Sequence, residues 1–398
     1  MNILLVSDAY LPTVSGVASS SDSIARFMAS QGHHVTLIAP KPLDGYVPKS
    51  QDRLAFVFTP GVSDSLFVNK SMTIFPLGLG PMWQAFRSQK FDIVHIQEPG
   101  SLGITAILLA KLFRVPIVGA MHFSWPQIER VAPWAIRWIS VPFMKLYVRV
   151  VYRAYDAIMV DARGHGRSEA PERGYGPGEQ ADDLAGVIAA LGLRKPAILG
   201  HSMGAATTLV LAGRYPDLPG AILLEDPPAW WTSWYETLAS QELRDTMKAN
   251  AQAYQTASRE ELVAAARERH IGWSEAELEP WAAAKHRFSP HVLSVFEAGN
   301  PANVDWQATL RRITCPALLI TGDPPLGAIV TEESAALLKA LVPHLEIAHV
   351  PGTGHNIRRE NFARFLAVVR GFLGEVVSRE SYERRQDGKT ARRQGKSR

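Results

Sequence analysis

The sequence predicts an α/β protein with a doubly wound, mostly parallel sheet. An apolar run at residues 1–7 is followed by a loop, a helical pattern and a second apolar run at residues 32–40. Apolar runs and helical segments then continue to alternate up to about residue 374. Strand, helix and strand in this order form the crossover unit of parallel sheets, so we expect the strands to lie side by side with helices covering them.

The front part of the chain continues this alternation. The second strand begins after Gly32, a residue type that commonly ends helices. The patterns that follow are a strand at 91–99, a helix at 102–113, a strand at 115–120, a helical region at 126–152 and a strand at 156–160.

A Gly-x-Ser-x-Gly motif follows the apolar run at residues 197–199. Gly200 and Gly204 leave room for a strand to turn sharply into a helix, which holds Ser202 in a strained, exposed conformation. The backbone amide of Met203 then begins the helix, where an unpaired N–H can stabilise an oxyanion. This pattern predicts a nucleophilic serine at the carboxyl edge of the sheet.

An acid and a histidine follow the serine at the ends of later strands. His355 comes after a strand and the turn at 351–354, which favours a general base over a core histidine. Asp323 is the preferred acid because it follows the strand that ends at Gly322, and Asp226, at the end of the preceding strand, is the alternative. The order serine, acid, histidine is that of an α/β-hydrolase.

Residues 156–374 resemble an α/β-hydrolase of the esterase, epoxide-hydrolase and haloperoxidase group. The resemblance rests on the three motifs above and on the glycine-rich loop Asp-Ala-Arg-Gly-His-Gly-Arg-Ser at 161–168. It implies a serine-type hydrolase acting on small ester-like or apolar substrates, and it makes residues 229–300 a helical lid. Five tryptophans fall in this lid and are expected mostly to pack it on the body: Trp230, Trp231, Trp234, Trp273 and Trp281. His201 and His165 are expected to be structural or surface residues.

Residues 1–160 resemble the amino-terminal domain of retaining GT-B glycosyltransferases, which is Rossmann-like. The resemblance rests on the opening strand with its Pro-Thr-Val-Ser-Gly-Val loop and on the Gly-His-His-Val, Asp-Ile-Val-His and Pro-Ile-Val…His segments. It implies an acceptor cleft faced by Gly16 and His122. The nucleotide-sugar domain of that family is expected after residue 160, where the hydrolase follows instead. Glu260 and Glu268 have the family's glutamate spacing by chance, so transferase activity is not expected from this chain alone.

The hydrolase is predicted to be truncated at its front. Its family supplies three strands before residue 156, and the loop after the third donates a second oxyanion amide. His122 and Phe123 stand at the place of that loop. The strand at 156–160 is expected to pair with the strand before Ser202, which gives one continuous sheet and leaves the second donor unassigned. The chain is therefore expected to be a fusion or chimera of two families. The expected function is that of a slow hydrolase, and the alternatives are a fragment of a mannosyl- or glucosyltransferase that lacks the nucleotide-sugar domain and a folded but inactive protein.

Composition limits the other classes of function. The net charge of +4 is located in residues 378–398, which carry eight basic and three acidic residues, so the rest of the chain sums to −1. This tail is expected to be disordered and no nucleic-acid partner is predicted. The single cysteine, Cys315, indicates a reducing cytoplasm. No leader peptide or membrane span is expected, and no oligomeric state is predicted.

No cofactor or metal is predicted. Paired Cys/His spacings and His-Glu-x-x-His do not occur in the sequence, and its glycine-rich loops lack the Lys-Ser/Thr of a phosphate-binding P-loop. The expected domains are a transferase-like domain at 1–155, a hydrolase-like domain at 156–377 and the tail at 378–398.

Overall fold

The computed structural model divides the chain into two compact units, Met1–Val160 and Asp161–Arg398. The boundary lies five residues after the predicted one. The structure describes residues 1–11, 16–42, 46–49, 51–64, 70–73, 76–119, 146–147, 150–166, 168–232, 241–270, 273, 275–296 and 304–394.

The first unit contains a five-stranded parallel sheet of order β3-β2-β1-β6-β7. Its strands and an additional antiparallel pair, β4 and β5, are β1 Asn2–Val6, β2 His34–Pro40, β3 Leu54–Thr59, β4 Val62–Asp64, β5 Lys70–Met72, β6 Ile93–Ile96 and β7 Ile117–Gly119. Its helices are α1 Gly16–Ser30, α2 Leu79–Ser88 and α3 Ser101–Phe113. The predicted strands of residues 1–119 are confirmed, whereas β3 and the β4–β5 pair were not predicted.

Asp8, two residues after β1, fixes the start of α3. Its carboxylate accepts hydrogen bonds from the backbone N–H groups of Leu102, at 2.8 Å, and Gly103, at 3.1 Å. These amides have no partner within the helix, and a carboxylate at a helix N-terminus is further stabilised by the helix dipole. The interaction therefore joins the carboxyl end of a central strand to the first turn of the helix that follows β6.

The second unit begins with α4 Pro177–Leu191, β8 Ala197–His201, α5 Met203–Arg214 and β9 Ala221–Glu225. A helical insertion follows β9, as the sequence predicts for a lid. Its helices are α6 Gln241–Thr256, α7 Arg259–Arg269, α8 Glu275–His286 and a 3₁₀ segment at Pro290–Phe296. Leu262, Ala266, Leu278 and Ala282 give this insertion a small apolar core of its own.

The chain then returns to the body through α9 Trp306–Arg311, β10 Ala317–Thr321, α10 Glu332–Leu341, β11 Glu346–His349, α11 Ile357–Glu360 and α12 Phe362–Gln394. The four strands form one parallel sheet of order β11-β10-β9-β8. Central strands β9 and β10 are buried along their whole length. Because the strands are parallel, the residues that follow β8, β9, β10 and β11 meet at one edge of the sheet.

The tryptophans of the insertion divide between two cores. Trp230 and Trp231 are buried with the body residues Leu209 and Trp306. Trp273 and Trp281 pack in the core of the insertion itself. Trp234 lies outside the described residues. The expected packing of the insertion on the body is thus confirmed for Trp230 and Trp231, and it is wrong for Trp273 and Trp281.

The expected continuous sheet is wrong: the strands of the two units form separate sheets. Residues 156–160 do not extend the sheet beside β8, and Ala157 instead makes one parallel bridge to Val118. The reason lies in Asp156, whose carboxylate accepts a 2.8 Å hydrogen bond from Ile117 N and is paired with Lys111 at 3.1 Å. These contacts hold the start of the segment against β7, within the first unit.

The tail also differs from the expectation. Helix α12 does not end near residue 378 but continues to Gln394. Arg, Lys, Glu, Gln and Ala make up much of this stretch, and their high intrinsic helix propensity favours a helix in spite of the charge. Among the described residues, no helix is long and apolar enough to cross a membrane.

Candidate active site

Ser202 occupies the turn between β8 and α5. Its backbone has φ 53° and ψ −121°, a combination that is rare for a residue with a side chain. A hydrogen bond of 2.9 Å from Ser202 N to the carbonyl oxygen of Glu225 ties this turn to the end of the neighbouring strand β9. The strain and its anchoring are the features of a nucleophile elbow.

The two glycines of the motif contribute differently. A Cβ on Gly200 would collide with the backbone of Gly204 and lie 2.6 Å from Ala205 N, whereas a Cβ on Gly204 would meet nothing within 4 Å. We therefore expect Gly200→Ala to destabilise the elbow by roughly 1–3 kcal/mol, because backbone atoms must shift. Gly204→Ala is the matched control and should retain wild-type stability and fluorophosphonate labelling of Ser202. Equal thermal stability of the two variants would contradict the interpretation that the turn has no space for a side chain at residue 200.

His355 lies in the loop between β11 and α11 and contacts Asp226. Nδ1 of His355 is 2.6 Å from Oδ2 of Asp226, a fully buried carboxylate directly after β9. The same carboxylate accepts backbone hydrogen bonds from Ile329 N, at 2.8 Å, and Val330 N, at 2.9 Å. Three donors thus satisfy the buried carboxylate. Because Nδ1–H of His355 donates to it, Nε2 is the nitrogen that can accept a proton.

Asp323, the preferred acid in the sequence analysis, binds a different histidine. Its Oδ1 lies 2.9 Å from Nε2 of His349, and its Oδ2 accepts a 2.6 Å hydrogen bond from Gly352 N. Asp323 follows β10, and His349 ends the adjacent strand β11, in register with Thr321. The pairing of these strands brings His349 to Asp323, while the six residues from His349 to His355 carry His355 across to the end of β9.

His201, the residue before Ser202, packs against the imidazole of His355. The two ring centroids are 4.6 Å apart, and Nε2 of His201 lies 2.8 Å from the carbonyl oxygen of His355. A carbonyl can only accept, so Nε2 of His201 carries the proton. Burial first, and then unfavourable electrostatic interactions with neighbouring groups such as Arg358, lower the pKa of His201 to about 3. His201 is therefore a neutral donor that holds the backbone of His355, and the expectation that it is structural agrees with this position.

The neutral state of His201 predicts a dependence of stability on pH. The unfolded chain protonates this imidazole near its usual pKa of 6.5, whereas the folded protein does so only at about 3. The free energy of unfolding should therefore fall as pH decreases below 6.5, by at most about 1.4 kcal/mol for each pH unit. His201→Gln keeps a donor and should reduce the difference between urea midpoints at pH 7 and pH 5. His291→Gln, at an exposed position, should not.

A buried ion pair, not anticipated from the sequence, connects the ends of the two segments that carry Asp226 and His355. Glu225 is fully buried and accepts from Arg358 twice, at 2.6 Å from the guanidinium Nη1 and at 2.9 Å from the backbone N–H. Burial raises the pKa of Glu225, and the Arg358 charge opposes this. The signal available in the sequence was the pair of acids at 225–226 and the pair of arginines at 358–359.

Glu360 orders the same loop from its other side. Its carboxylate accepts hydrogen bonds from Gly354 N and, at 3.2 Å, from Asn356 N, the residues that flank His355. His355 is thus held through its ring by Asp226, through its carbonyl oxygen by His201 and through its neighbours by Glu360. Such redundancy fixes the orientation of a side chain better than one contact does.

Met203, predicted to supply an oxyanion donor, is the first residue of α5. At this position it has an N–H without an intrahelical acceptor, at the positive end of the helix dipole. Within the described part of the chain, no hydrogen bond joins Ser202 Oγ to the imidazole of His355. Such a bond commonly tightens only when substrate binds.

The residues assigned to an acceptor cleft are only partly described. Gly16 is the first residue of α1, and its place in an acceptor cleft stays a prediction. His122 and Phe123, which were considered for the cleft and for the second oxyanion donor, lie outside the described residues. Among the residues that the structure does describe, no group of three His, Cys, Asp or Glu side chains could hold a metal ion.

Comparisons with known proteins divide the chain at the same place as the structure. Residues 14–163 match the model described as Glycosyltransferase Family 4, and residues 142–358 match the model described as alpha/beta hydrolase fold. The two matches overlap only over residues 142–163, and the boundary between the structural units lies within this overlap.

Curated relatives fall into the same two classes. The 2-(acetamidomethylene)succinate hydrolase of Mesorhizobium japonicum is 27% identical over 243 residues, 59% of this chain and 84% of the relative. The N-formylmaleamate deformylase of Pseudomonas putida is 27% identical over 225 residues, 55% of this chain and 79% of the relative. The alpha-monoglucosyldiacylglycerol synthase of Acholeplasma laidlawii is 32% identical over 181 residues, 39% of this chain and 44% of the relative. The chain thus spans less than half the length of that transferase.

Proposed function

The chain belongs to the alpha/beta hydrolase fold family, and on that premise we propose that it is a serine-type hydrolase with Ser202 as nucleophile, His355 as general base and Asp226 as the orienting acid. The observation that carries the proposal is the 2.6 Å contact between His355 Nδ1 and the buried carboxylate of Asp226. Asp226 and the strained Ser202 turn follow adjacent parallel strands, β9 and β8. The three groups therefore converge on one edge of the sheet.

The reaction follows from the proton positions. His355 Nε2 takes the hydroxyl proton as Ser202 Oγ attacks the acyl carbonyl carbon, and the carbonyl π electrons move to the oxygen. Met203 N–H stabilises this oxyanion. Collapse of the tetrahedral intermediate expels the alcohol or amine, which receives the proton from His355, and leaves an acyl-enzyme. Water then repeats the sequence, with His355 again as base, and releases the acid and free Ser202.

Asp226 has a specific part in this scheme. Its carboxylate accepts from Nδ1–H, so the tautomer with an unprotonated Nε2 is the one present before attack. The negative charge also stabilises the imidazolium that forms during each proton transfer. Asp226 is fully buried, and its two backbone donors keep the carboxylate from rotating away from the ring.

The proposed substrates are small acyl compounds, esters or amides. Ester hydrolysis is the reaction expected from the sequence. The names of the two hydrolase relatives add carbon–nitrogen acyl bonds, since one is a 2-(acetamidomethylene)succinate hydrolase and the other an N-formylmaleamate deformylase. The proposed mechanism serves both, because the imidazolium of His355 can protonate either leaving group. No cofactor or metal takes part in it.

A fluorophosphonate probe and p-nitrophenyl acetate test the proposal. The wild-type protein should be labelled with about one probe per chain and should release p-nitrophenolate beyond the first turnover. Prior treatment with the probe should abolish turnover, because both reagents require the same hydroxyl. A folded protein that neither reacts with the probe nor hydrolyses the ester would overturn the proposal. Labelling without turnover would indicate that the acyl-enzyme is not hydrolysed or that the oxyanion is not stabilised.

A further inference from the structure

Outside the proposed triad, the insertion gathers cationic side chains around three aromatic rings. Nζ of Lys285 lies 4.9 Å from the ring centroid of Tyr254 and 5.0 Å from that of Trp281. The guanidinium carbon of Arg359, which comes from α11, lies 4.7 Å from the ring centroid of Trp273. The imidazole ring of His270 stacks on the ring of Trp273, with their centroids 4.0 Å apart. We call these six residues the aromatic–cation cluster.

The two cations of the cluster, Lys285 and Arg359, differ in their hydrogen-bond partners. Glu277 pairs with Arg359 at 2.9 Å. Among the described residues, no carboxylate or carbonyl oxygen accepts a hydrogen bond from Lys285 Nζ, although an ammonium group has three donors. Burial, and then the charges of Arg359 and Arg269, lower the pKa of Lys285. An anion between these groups would relieve the repulsion and supply the missing acceptors.

The cluster is joined to the segment that carries the proposed base. Nη1 of Arg359 lies 3.4 Å from Oδ1 of Asn356, the residue directly after His355. Arg359 is also close enough to His201, which contacts the His355 ring, to act on it electrostatically. Through its contacts with Glu277 and Trp273, Arg359 therefore joins the insertion to α11, the helix that follows the His355 loop.

We propose that the aromatic–cation cluster is a carboxylate-binding subsite, in which Lys285 and Arg359 hold an anionic group of the acyl substrate. Nε and Nη1 of Arg359 already donate to Glu277 and Asn356. Among the described residues, Nη2 of Arg359 and Nζ of Lys285 have no acceptor, so these groups can donate to a carboxylate beside the aromatic rings. This inference rests on the proposed function and narrows its substrates to acyl compounds that carry a negative charge. In this proposal Lys285 binds the substrate, in addition to its cation–π contacts with Tyr254 and Trp281.

Two esters with the same leaving group test the subsite. They are p-nitrophenyl acetate, which is neutral, and the mono-p-nitrophenyl ester of succinate, which carries a carboxylate. Lys285→Gln should lower kcat/KM for the anionic ester about tenfold or more, mainly through KM, because a charge-assisted hydrogen bond is lost. The neutral ester should change less than twofold. Lys248→Gln, at an exposed lysine of α6, is the matched control and should change neither.

A binding measurement separates this inference from the proposed hydrolysis. Titration with succinate should change the tryptophan fluorescence saturably, since Trp273 and Trp281 belong to the cluster, and Lys285→Gln should raise Kd about tenfold. Succinate binding without hydrolysis of either ester would overturn the proposed function and retain an anion site. Hydrolysis of p-nitrophenyl acetate without a saturable fluorescence change would overturn the subsite alone. An equal effect of Lys285→Gln on both esters would contradict the subsite and leave Lys285 with a structural role. Succinate binding, combined with no effect of Lys285→Gln on hydrolysis of the anionic ester, would contradict it as well, because the cluster would then bind a free anion and not the substrate.

Discussion

Ser202→Ala is expected to abolish fluorophosphonate labelling and to reduce kcat/KM for p-nitrophenyl acetate by about 10⁴-fold or more. The substitution removes the only atom that the proposed mechanism joins to the acyl group. The methyl side chain of alanine is smaller than the hydroxymethyl group, so no new steric contact arises. The turn itself should persist, because it is held by the bond from Ser202 N to the Glu225 carbonyl oxygen, which involves only the backbone. Gel fluorescence of the labelled chain and initial rates of p-nitrophenolate release measure the two effects.

Ser378→Ala supplies the control for this experiment. Ser378 is an exposed serine of α12 whose hydroxyl donates to the carbonyl oxygen of Gly374 within the same helix. Its replacement should leave labelling and turnover unchanged. If Ser202→Ala keeps the wild-type rate while its circular dichroism is unaltered, the hydrolysis observed does not use the elbow, and the serine mechanism is wrong.

The parts of the site that the sequence predicts correctly are those set by local geometry. A Gly-x-Ser-x-Gly motif between an apolar run and a helical segment specifies its own turn, because Gly200 leaves no space for a side chain beside Gly204. The predicted positions of Ser202 at the end of β8 and of His355 after β11 are confirmed as positions in the fold. Their catalytic roles stay predictions until the variants are measured.

The choice of the acid could not be made from local sequence. Asp226 and Asp323 follow neighbouring parallel strands, so both lie at the same edge of the sheet. The path of the loop after β11 decides which of them meets His355. The two hydrogen bonds from Arg358 to Glu225, one from the backbone N–H and one from Nη1, fix that path, since they hold the start of α11 against the end of β9. This long-range pair, 133 residues apart, has no signature in spacing or periodicity.

The boundary between the two structural units likewise depends on contacts that local sequence does not predict. Both resemblances are confirmed by the family matches, and the overlap at 142–163 contains the unit boundary. The sequence could not decide which sheet receives residues 156–160, because either family offers a neighbouring strand. Asp156 decides it through its bonds to Ile117 N and Lys111, which are contacts within the first unit. Side-chain contacts of one residue thus override the expectation drawn from strand order.

Asp226→Asn should reduce kcat/KM by about 10³–10⁴-fold, whereas Asp323→Asn should leave it within about twofold of wild type. Asparagine has the shape of aspartate and, like aspartate, tolerates a positive φ, which is 40° at residue 226. Its amide would donate to His355 Nδ1, which selects the tautomer with a proton on Nε2, so the ring could no longer accept the proton of Ser202. It also removes the charge that stabilises the imidazolium.

Asp323→Asn is the matched comparison because it makes the same chemical change at the end of the next strand, on a carboxylate bonded to His349 and Gly352. Rates, probe labelling and thermal midpoints should be measured for both variants, since Asp226→Asn also places an amide against the backbone donors Ile329 N and Val330 N and is expected to lose some stability. A loss of rate in folded Asp226→Asn protein identifies the acid. The reverse result, a large loss in Asp323→Asn and none in Asp226→Asn, would return the role to Asp323 and require His355 to leave the position it has in this structure. Equal losses in both variants would point instead to a general electrostatic effect of the carboxylates at this edge of the sheet.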